Sequence, residues 1–550
     1  MHVIFHPDVT IFPDIFSLGC FFLIYAEIHY RLPFFPSRYY RKEPEIIADA
    51  PTRLQPREKL PVLLIVKDAL LFPIHFIKIR VIITDSQNYE FESEIQIEEK
   101  IDDTYWEKIF EIEPEETLHG TCTITVEMHF RANGRMRVCI NDNYRLSNSK
   151  PFTTHFAKSP LPMAADYLTG DLHVHSNYTN DQLEFGASIE ATARLAKSMG
   201  HSFVGITDHS YDLDDYPDNF LKNDPGLEKW SAFQKEVKKR NAADETFVIL
   251  PGEEVSCGNQ KKENVHFLVY NNETFLPGTG DSGDKWFRTR PDLSINEVVT
   301  RLSESAACFA SHPEATPPFF QNLLLNRGKW HAPDYQQAGL HGMQIWNGEE
   351  VNSDASLATW RQLLLQGKRF YIISGTDAHG NFNRFRQITK PLLAMADLAN
   401  WQVFGSHRSL ILHPGKATTN SIAQALRAGQ SAVTSGPFLS LHAQSDDRFI
   451  AMGSEITTLA AQLTIHALST EEFGPIHGIT VYRGDLLNQI EEIILQENTF
   501  ANPLEITFEL NINAATEQKF YYRVALVGEI KNSMRMQALT NPIWHSPVDI

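Results

Sequence analysis

Hydrophobic and polar positions change rhythm along the chain. Over residues 1–160 they alternate with period two or gather β-branched residues, as in PVLLIVKDA, IKIRVIITD, YEFESEIQIEE, TCTITVEMHF and RMRVCIND. Turn residues such as Asn133-Gly134 separate these runs, and strands at this spacing predict a sandwich-like N-terminal β-rich domain. The first fifty residues are irregular, and no element is assigned to them. Over residues 165–395 short apolar runs alternate with amphipathic ones. Ser188 is placed to cap a helix carrying Ile189, Leu195, Ala196 and Met199, which Gly200 closes. Ser294 opens a second helix with Ile295, Val298, Val299 and Leu302. A third holds Trp360, Leu363 and Leu364 and ends near Gly367. The strands HSFVGIT, CFAS and RFYIIS follow these helices in turn, an alternation that predicts an α/β barrel or a doubly wound sheet. Residues 400–550 begin with the helix SIAQALRAG and return to strand periodicity in AQLTIHAL, GITVYRG, LEITFELNI and KFYYRVALVG.

Composition narrows the class. With 550 residues, 42% hydrophobic and 21% charged, the chain reads as a folded protein of about three domains rather than a disordered one. Its net charge of −19 disfavours an extended nucleic-acid partner, because like charge repels a phosphate backbone. The five cysteines are widely spaced and form no CxxC, so they read as reduced thiols in a cytoplasmic protein. Ile15–Ala26 is an apolar run of about 12 residues. It is short of the ~20 that a membrane span needs, and no basic segment precedes it as in a signal peptide. It reads as a buried strand or amphipathic piece.

The candidate chemistry lies in the central region, at the expected ends of strands: DLHVHS (171–176), ITDHS (206–210), PGEEVS (251–256), NVHFLVY (264–270), ASHPE (310–314) and GTDAHG (375–380). Residues i and i+2 of a strand share a face, so His173 and His175 can meet one ion, as can Asp377 and His379. Imidazoles with a few carboxylates suit zinc, manganese or iron. A water shared by two such ions becomes a hydroxide nucleophile near neutral pH. In the loop YDLDDYPDNF after the second motif, acidic and aromatic residues read as a solvated segment. Asn347, at the end of QIWNG, reads either as a substrate contact or as a turn residue.

This ordered set resembles the polymerase and histidinol phosphatase (PHP) superfamily of metallohydrolases. AQALRAGQSAVTSGPFLSL, ITVYRGD and the terminal ALTNPIW resemble the branch named after the carbaryl hydrolases, the CehA/McbA family. The resemblance implies a distorted seven-stranded β/α (TIM-like) barrel with two or three divalent ions, flanked here by β-sandwich-like domains. It implies His173, His175 and Asp377 on a first ion, and Glu254 bridging to a second held by His266 and His312. His209 and His379 would hold a third, and Asp208 would orient a ligand or water. Asn180 stands where the family often has an aspartate ligand. Asp181 is the alternative one residue later, and without either the centre would hold two ions. Arg384 and Arg386 are candidates to clamp an anionic substrate, with Arg384, His209 and His379 placed as catalytic residues.

The reading is therefore a metal-dependent hydrolase of a small ester-type substrate, with a phosphoester first. A carboxyl ester or carbamate is the runner-up. An exonuclease on short nucleic acid and a non-catalytic, metal-stabilised binding module are further alternatives.

Overall fold

The computed structural model describes residues 43–143, 150–179, 186–217, 219–280, 289–317, 319–348, 353–383, 402–531 and 534–548. The Ile15–Ala26 run lies outside them. The N-terminal strands form two facing sheets. Glu45–Asp49, Leu60–Lys67 and Tyr105–Ile112 make an antiparallel three-stranded sheet. Opposite it, six strands are built around Ile74–Thr84 and Gly120–Ala132. Val62, Leu64 and Val66 meet Phe76, Val81 and Val126 between the sheets. Asn133 and Gly134 turn a hairpin with positive φ at both positions, 50° and 73°, as their residue types favour.

Leu60–Lys67 is buried along its whole length, on both faces. Its alternate residues Leu63 and Ile65 turn away from the sandwich. They pack on the helix Ile189–Met199, against Ile189 and Leu195. A strand covered on both sides loses the polar alternation of a surface strand, which explains the unbroken apolar run LPVLLIV. The helix begins where Ser188 Oγ accepts from Ala191 N and ends where Gly200 adopts φ 97°.

The central segment corrects the expected barrel. Strands take up 46% of the structure and helices 15%, with seven α-helices among the described residues, whereas a β/α barrel pairs a helix with every strand. Tyr167–His175, Phe203–Ile206 and Val248–Gly258 do run parallel, as do Ala307–Ala310, Gly342–Asn347 and Tyr371–Gly375. Between these two sets Asn264–Tyr270 pairs antiparallel on both sides. Only a short turn separates it from Val248–Gly258, and a parallel crossover needs a dozen or more residues. On its other edge Tyr167–His175 pairs antiparallel with Arg408–Leu412. From there the same sheet continues through Ser431–Thr434 into the C-terminal strands, sixteen in all. The architecture is thus a large mixed sheet with sandwich-like sheets at its ends, not a helix-rich barrel of seven strands.

At the C-terminal end a four-stranded sheet built on Phe438–Ser445 and Ala460–Leu468 covers the extension of the large sheet. Leu441, Leu463 and Ile465 close that core against Ile479, Val481 and Val524. The four described cysteines, Cys122, Cys139, Cys257 and Cys308, are buried, and none is joined to another in a disulfide. No described helix is long and apolar enough to cross a membrane.

The packing of Leu63 between helix and sandwich predicts that Leu63→Ala costs roughly 2–5 kcal/mol, as measured by urea unfolding. A cost below about 1 kcal/mol would show that this face is not sealed.

Candidate metal centre

The sheet places the motif residues around one cleft. His173 and His175 end the Tyr167–His175 strand, and Ala378–His379 pairs beside it in parallel, setting His379 against His175. Glu254 forms a backbone bridge to His209. His266 lies across the antiparallel ladder from Ser256, one diagonal from Glu254. His312 follows the Ala307–Ala310 strand.

Glu254 is fully buried at the centre. Its Oε2 lies 3.2 Å from His173 Nε2, 3.4 Å from His175 Nε2 and 3.2 Å from His209 Nδ1. Its Oε1 lies 2.8 Å from His266 Nδ1 and 3.2 Å from His312 Nε2. Asp377 Oδ1 is 3.3 Å from His173 Nε2 and 3.1 Å from His175 Nε2, and these two nitrogens are 3.3 Å apart. Metal–ligand bonds of about 2.0–2.1 Å set tetrahedral donor atoms about 3.3–3.4 Å from one another. The donors of His173, His175, Glu254 and Asp377 stand at that spacing, so they fit a divalent ion. Two further groups can hold a metal: His209, Glu254 and His266, and His175, His209 and His379. Each offers three protein donors and leaves a coordination position open, as catalytic zinc sites do. His209 belongs to both of these groups. Asn180, Asp181, Arg384 and Arg386 lie outside the described residues.

A surrounding shell fixes these donors. Gln344 Oε1 lies 3.0 Å from His173 Nδ1, and accepting its proton leaves Nε2 as the ligand nitrogen. Gln344 Nε2 donates to Asn347 Oδ1 at 2.7 Å, and Asn347 Nδ2 donates to Asp377 Oδ2 at 3.2 Å. Asn347 therefore supports a ligand. Gln402 Nε2 donates to the same Asp377 oxygen at 2.8 Å, and Ser311 Oγ donates to Glu254 Oε1 at 2.8 Å. His379 Nδ1 lies 3.0 Å from the Asp377 carbonyl, which holds its ring by the Nδ1 proton. Asp208 accepts from Ser176 N and Oγ, both at 2.7 Å, and so pins the turn after the HxH. Glu253, next to the bridging residue, turns away and accepts from Ser210 Oγ, Trp230 Nε1 and Leu276 N. Burial pushes its carboxyl up to about 8.

The electrostatics of the donors call for positive charge. Burial alone raises the carboxyls of Glu254 and Asp377. The surrounding histidines, His266 and His173 for Glu254 and His173 for Asp377, outweigh burial and hold both well below the usual range. Burial opposes a proton on His173, but Glu254 and Asp377 overcome it and push the imidazole up to about 9. A proton and a cation compete for such a position, so metal binding here releases protons. Two donors also sit in the left-handed backbone region that side chains rarely adopt, His312 at φ 25° and Asp377 at φ 57°.

The cleft has a volume of about 240 Å³. Among its described lining residues Arg327 is the only Arg or Lys, and its Nη2 lies 3.1 Å from His266 Nε2. Nothing in the local pattern LNRGKW marks Arg327. It reaches the cleft because Asn326 and Gly328 are hydrogen-bonded to the backbone of Asn264. Tyr211 also lines the cleft and stacks on His209 at 4.5 Å. The start of YDLDDYPDNF, expected to be solvated, is instead a short buried helix, Ser210–Leu213. Leu213 anchors it in the core beside Phe233.

No family model matches the chain, and no curated protein sequence does. Alignments to solved structures include a glycosyl hydrolase family 2 member from Bacteroides cellulosilyticus DSM 14838, at 7% identity and TM-score 0.16, over 93% of this chain and 64% of that one. A beta-glucuronidase from Bacteroides uniformis aligns at 10% identity and TM-score 0.16, over 92% and 61%. One from Parabacteroides merdae aligns at 8% identity and TM-score 0.17, over 92% and 66%. The chain spans less than two thirds of each, and superpositions this poor carry no argument about fold or chemistry.

Two substitutions separate the adjacent glutamates. Glu254→Gln is expected to lower the metal retained after gel filtration, as read by elemental analysis, whereas Glu253→Gln leaves it unchanged. Equal retention in both variants would remove Glu254 from the centre. Gln344→Ala is expected to weaken metal affinity about 10–100-fold in chelator competition, because His173 loses the acceptor that sets its tautomer. An unchanged affinity would show that Gln344 is not needed to orient the ring.

Proposed function

We propose that the protein is a metal-dependent hydrolase of a small ester-type substrate, with a phosphoester as the favoured class. The observation that carries this reading is the division of the Glu254 carboxylate, one oxygen toward His173, His175 and His209 and the other toward His266 and His312. A carboxylate so placed suits two cations side by side. This donor set supports the likeness to PHP metallohydrolases that the motifs express, and it does so independently of the sheet architecture. Divalent ions held there supply Lewis acidity toward an ester oxygen and lower the pKa of a coordinated water.

The chain's own residues account for the rest. The Arg327 guanidinium brings positive charge to the cleft beside His266, which favours an anionic phosphoester over a neutral carbamate. His379, held through Nδ1 on the Asp377 carbonyl, presents Nε2 either to a third cation with His175 and His209 or, where two cations fill the centre, as the nitrogen that carries a proton to a leaving group. Gln344 and Asn347 keep His173 and Asp377 in place while charge shifts around them. A cleft of about 240 Å³ with one guanidinium among its described lining residues, on a chain of net charge −19, favours a small anionic substrate over a nucleic-acid strand.

The test presents one aryl leaving group as phosphomonoester, phosphodiester, carboxyl ester and carbamate to enzyme loaded with Mn, Zn or Fe, with His379→Ala as the blank. Cleavage of a phosphate form, lost in His379→Ala, is the expected result. Arg327→Ala should raise KM for that form about tenfold or more, with a smaller effect on any carbamate turnover. Preference for the carbamate or carboxyl ester would overturn the phosphoester assignment. Bound metal with no turnover in any arm would count for a non-catalytic module.

A further inference from the structure

A second and larger cavity, of about 990 Å³, opens where the N-terminal sandwich, the central sheet and the C-terminal strands meet. Its described lining carries five Arg or Lys side chains against two glutamates, on a chain whose net charge is −19. Local reversal of sign on an acidic protein concentrates anions.

The charges in this cavity are unevenly satisfied. Arg53 is fully engaged: its Nε lies 2.9 Å from both oxygens of Glu472, and its other nitrogens donate to Gln55, Met199 and Ser159. Glu472 is thereby used. Arg408 is 3% exposed, and among the described residues its one hydrogen bond runs from Nη2 to the Gly436 carbonyl at 2.9 Å. Its guanidinium also lies over the Phe473 ring at 5.6 Å. A guanidinium has five N–H donors, and no carboxylate among the described residues pairs with this one. His201, 6% exposed and lining the same cavity, has an Nδ1 with no hydrogen-bond partner among the described residues. A buried cation whose nearest carboxylate, Glu472, is already paired with Arg53 is unfavourable, and an anionic ligand in the cavity would relieve it. Burial, with Arg53 nearby, also pulls the Arg408 guanidinium down to about 10, against the opposing pull of Glu472.

We propose that this cavity is a second ligand site, separate from the metal cleft, for a small multivalent oxyanion. Arg408 anchors a phosphate or carboxylate group, His201 adds a polar contact, and Lys158 and Lys531 flank the space. The volume suits a metabolite rather than a lone inorganic ion, since ligand pockets run to about 300–1,000 Å³. Guanidinium forks match phosphate and carboxylate alike, so the chemistry on either side is shared.

The experiment titrates pyrophosphate and, separately, citrate into the full-length, metal-loaded protein at constant ionic strength. Binding is read by calorimetry and by thermal shift, with bound metal measured in parallel. Saturable binding of either probe with a rise in Tm is expected. Pyrophosphate binding assigns a phosphorylated ligand, and citrate binding a polycarboxylate. Arg408→Met should weaken binding at least tenfold, and Arg327→Ala in the metal cleft should leave it unchanged. Should Arg408→Met fail to fold, Lys158→Glu at an exposed position is expected to weaken binding several-fold. Absence of saturable binding by either probe, or equal affinity in the wild type and the cavity variants, would overturn the proposal. So would binding lost only in Arg327→Ala.

Discussion

Burying the Glu254 carboxylate is unfavourable unless positive charge reaches both of its oxygens. Five imidazoles approach it within 3.4 Å, from four separate stretches of chain, and Asp377 adds a second negative charge beside two of them. Protons alone satisfy such a set poorly, because histidines crowded at these distances repel one another once charged. Divalent cations satisfy it well, and the spacing of the donors is that of a coordination shell. The rest of the central segment can be understood as what holds this charge arrangement out of water.

The support is built from rigid pieces. Tyr167–His175 carries the HxH pair, and Asp171 on the same strand ties it to the loop before Asp377 by accepting from the amides of His173 and Thr376. A side chain at Gly375 would press on His173, its Cβ lying 2.5 Å from the His173 amide nitrogen, so the close approach of these two segments needs glycine there. Behind the strand, Val174 and the helix Ile189–Met199 share a core with Leu63 and Ile65 of the N-terminal sandwich. The accessory domain thus braces the strand that carries His173 and His175 from its far side, and the candidate donors His312 and Asp377 hold left-handed backbone conformations within these packed surroundings.

Much of the local structure was legible in the chain. The caps at Ser188 and Ser294, the turn at Asn133-Gly134 and the strand runs of both ends depend on interactions within a few residues. The barrel expectation failed for the complementary reason. Short apolar runs separated by helices look alike whether neighbouring strands end up parallel or antiparallel. The short link from Val248–Gly258 forces Asn264–Tyr270 to turn back antiparallel, but strand order elsewhere is set by which edges meet, and no local pattern records that Arg408–Leu412 extends the sheet into the C-terminal strands.

The candidate site divides in the same way. The sequence by itself determined the donor types and one short spacing, because the two-residue repeat of a strand puts His173 with His175. The same repeat failed for Asp377 and His379, since Asp377 leaves the strand conformation at φ 57° and the two fall in different donor groups. Only the tertiary structure decided which Glu254 oxygen faces which histidines, and that Glu253 turns away from them toward Ser210, Trp230 and Leu276. It alone brought Gln344, Asn347, Gln402 and Arg327 to the ligands. These relations join residues tens to hundreds of positions apart, where chain spacing carries no directional information. They exist only once the sheets have packed and their edges have met.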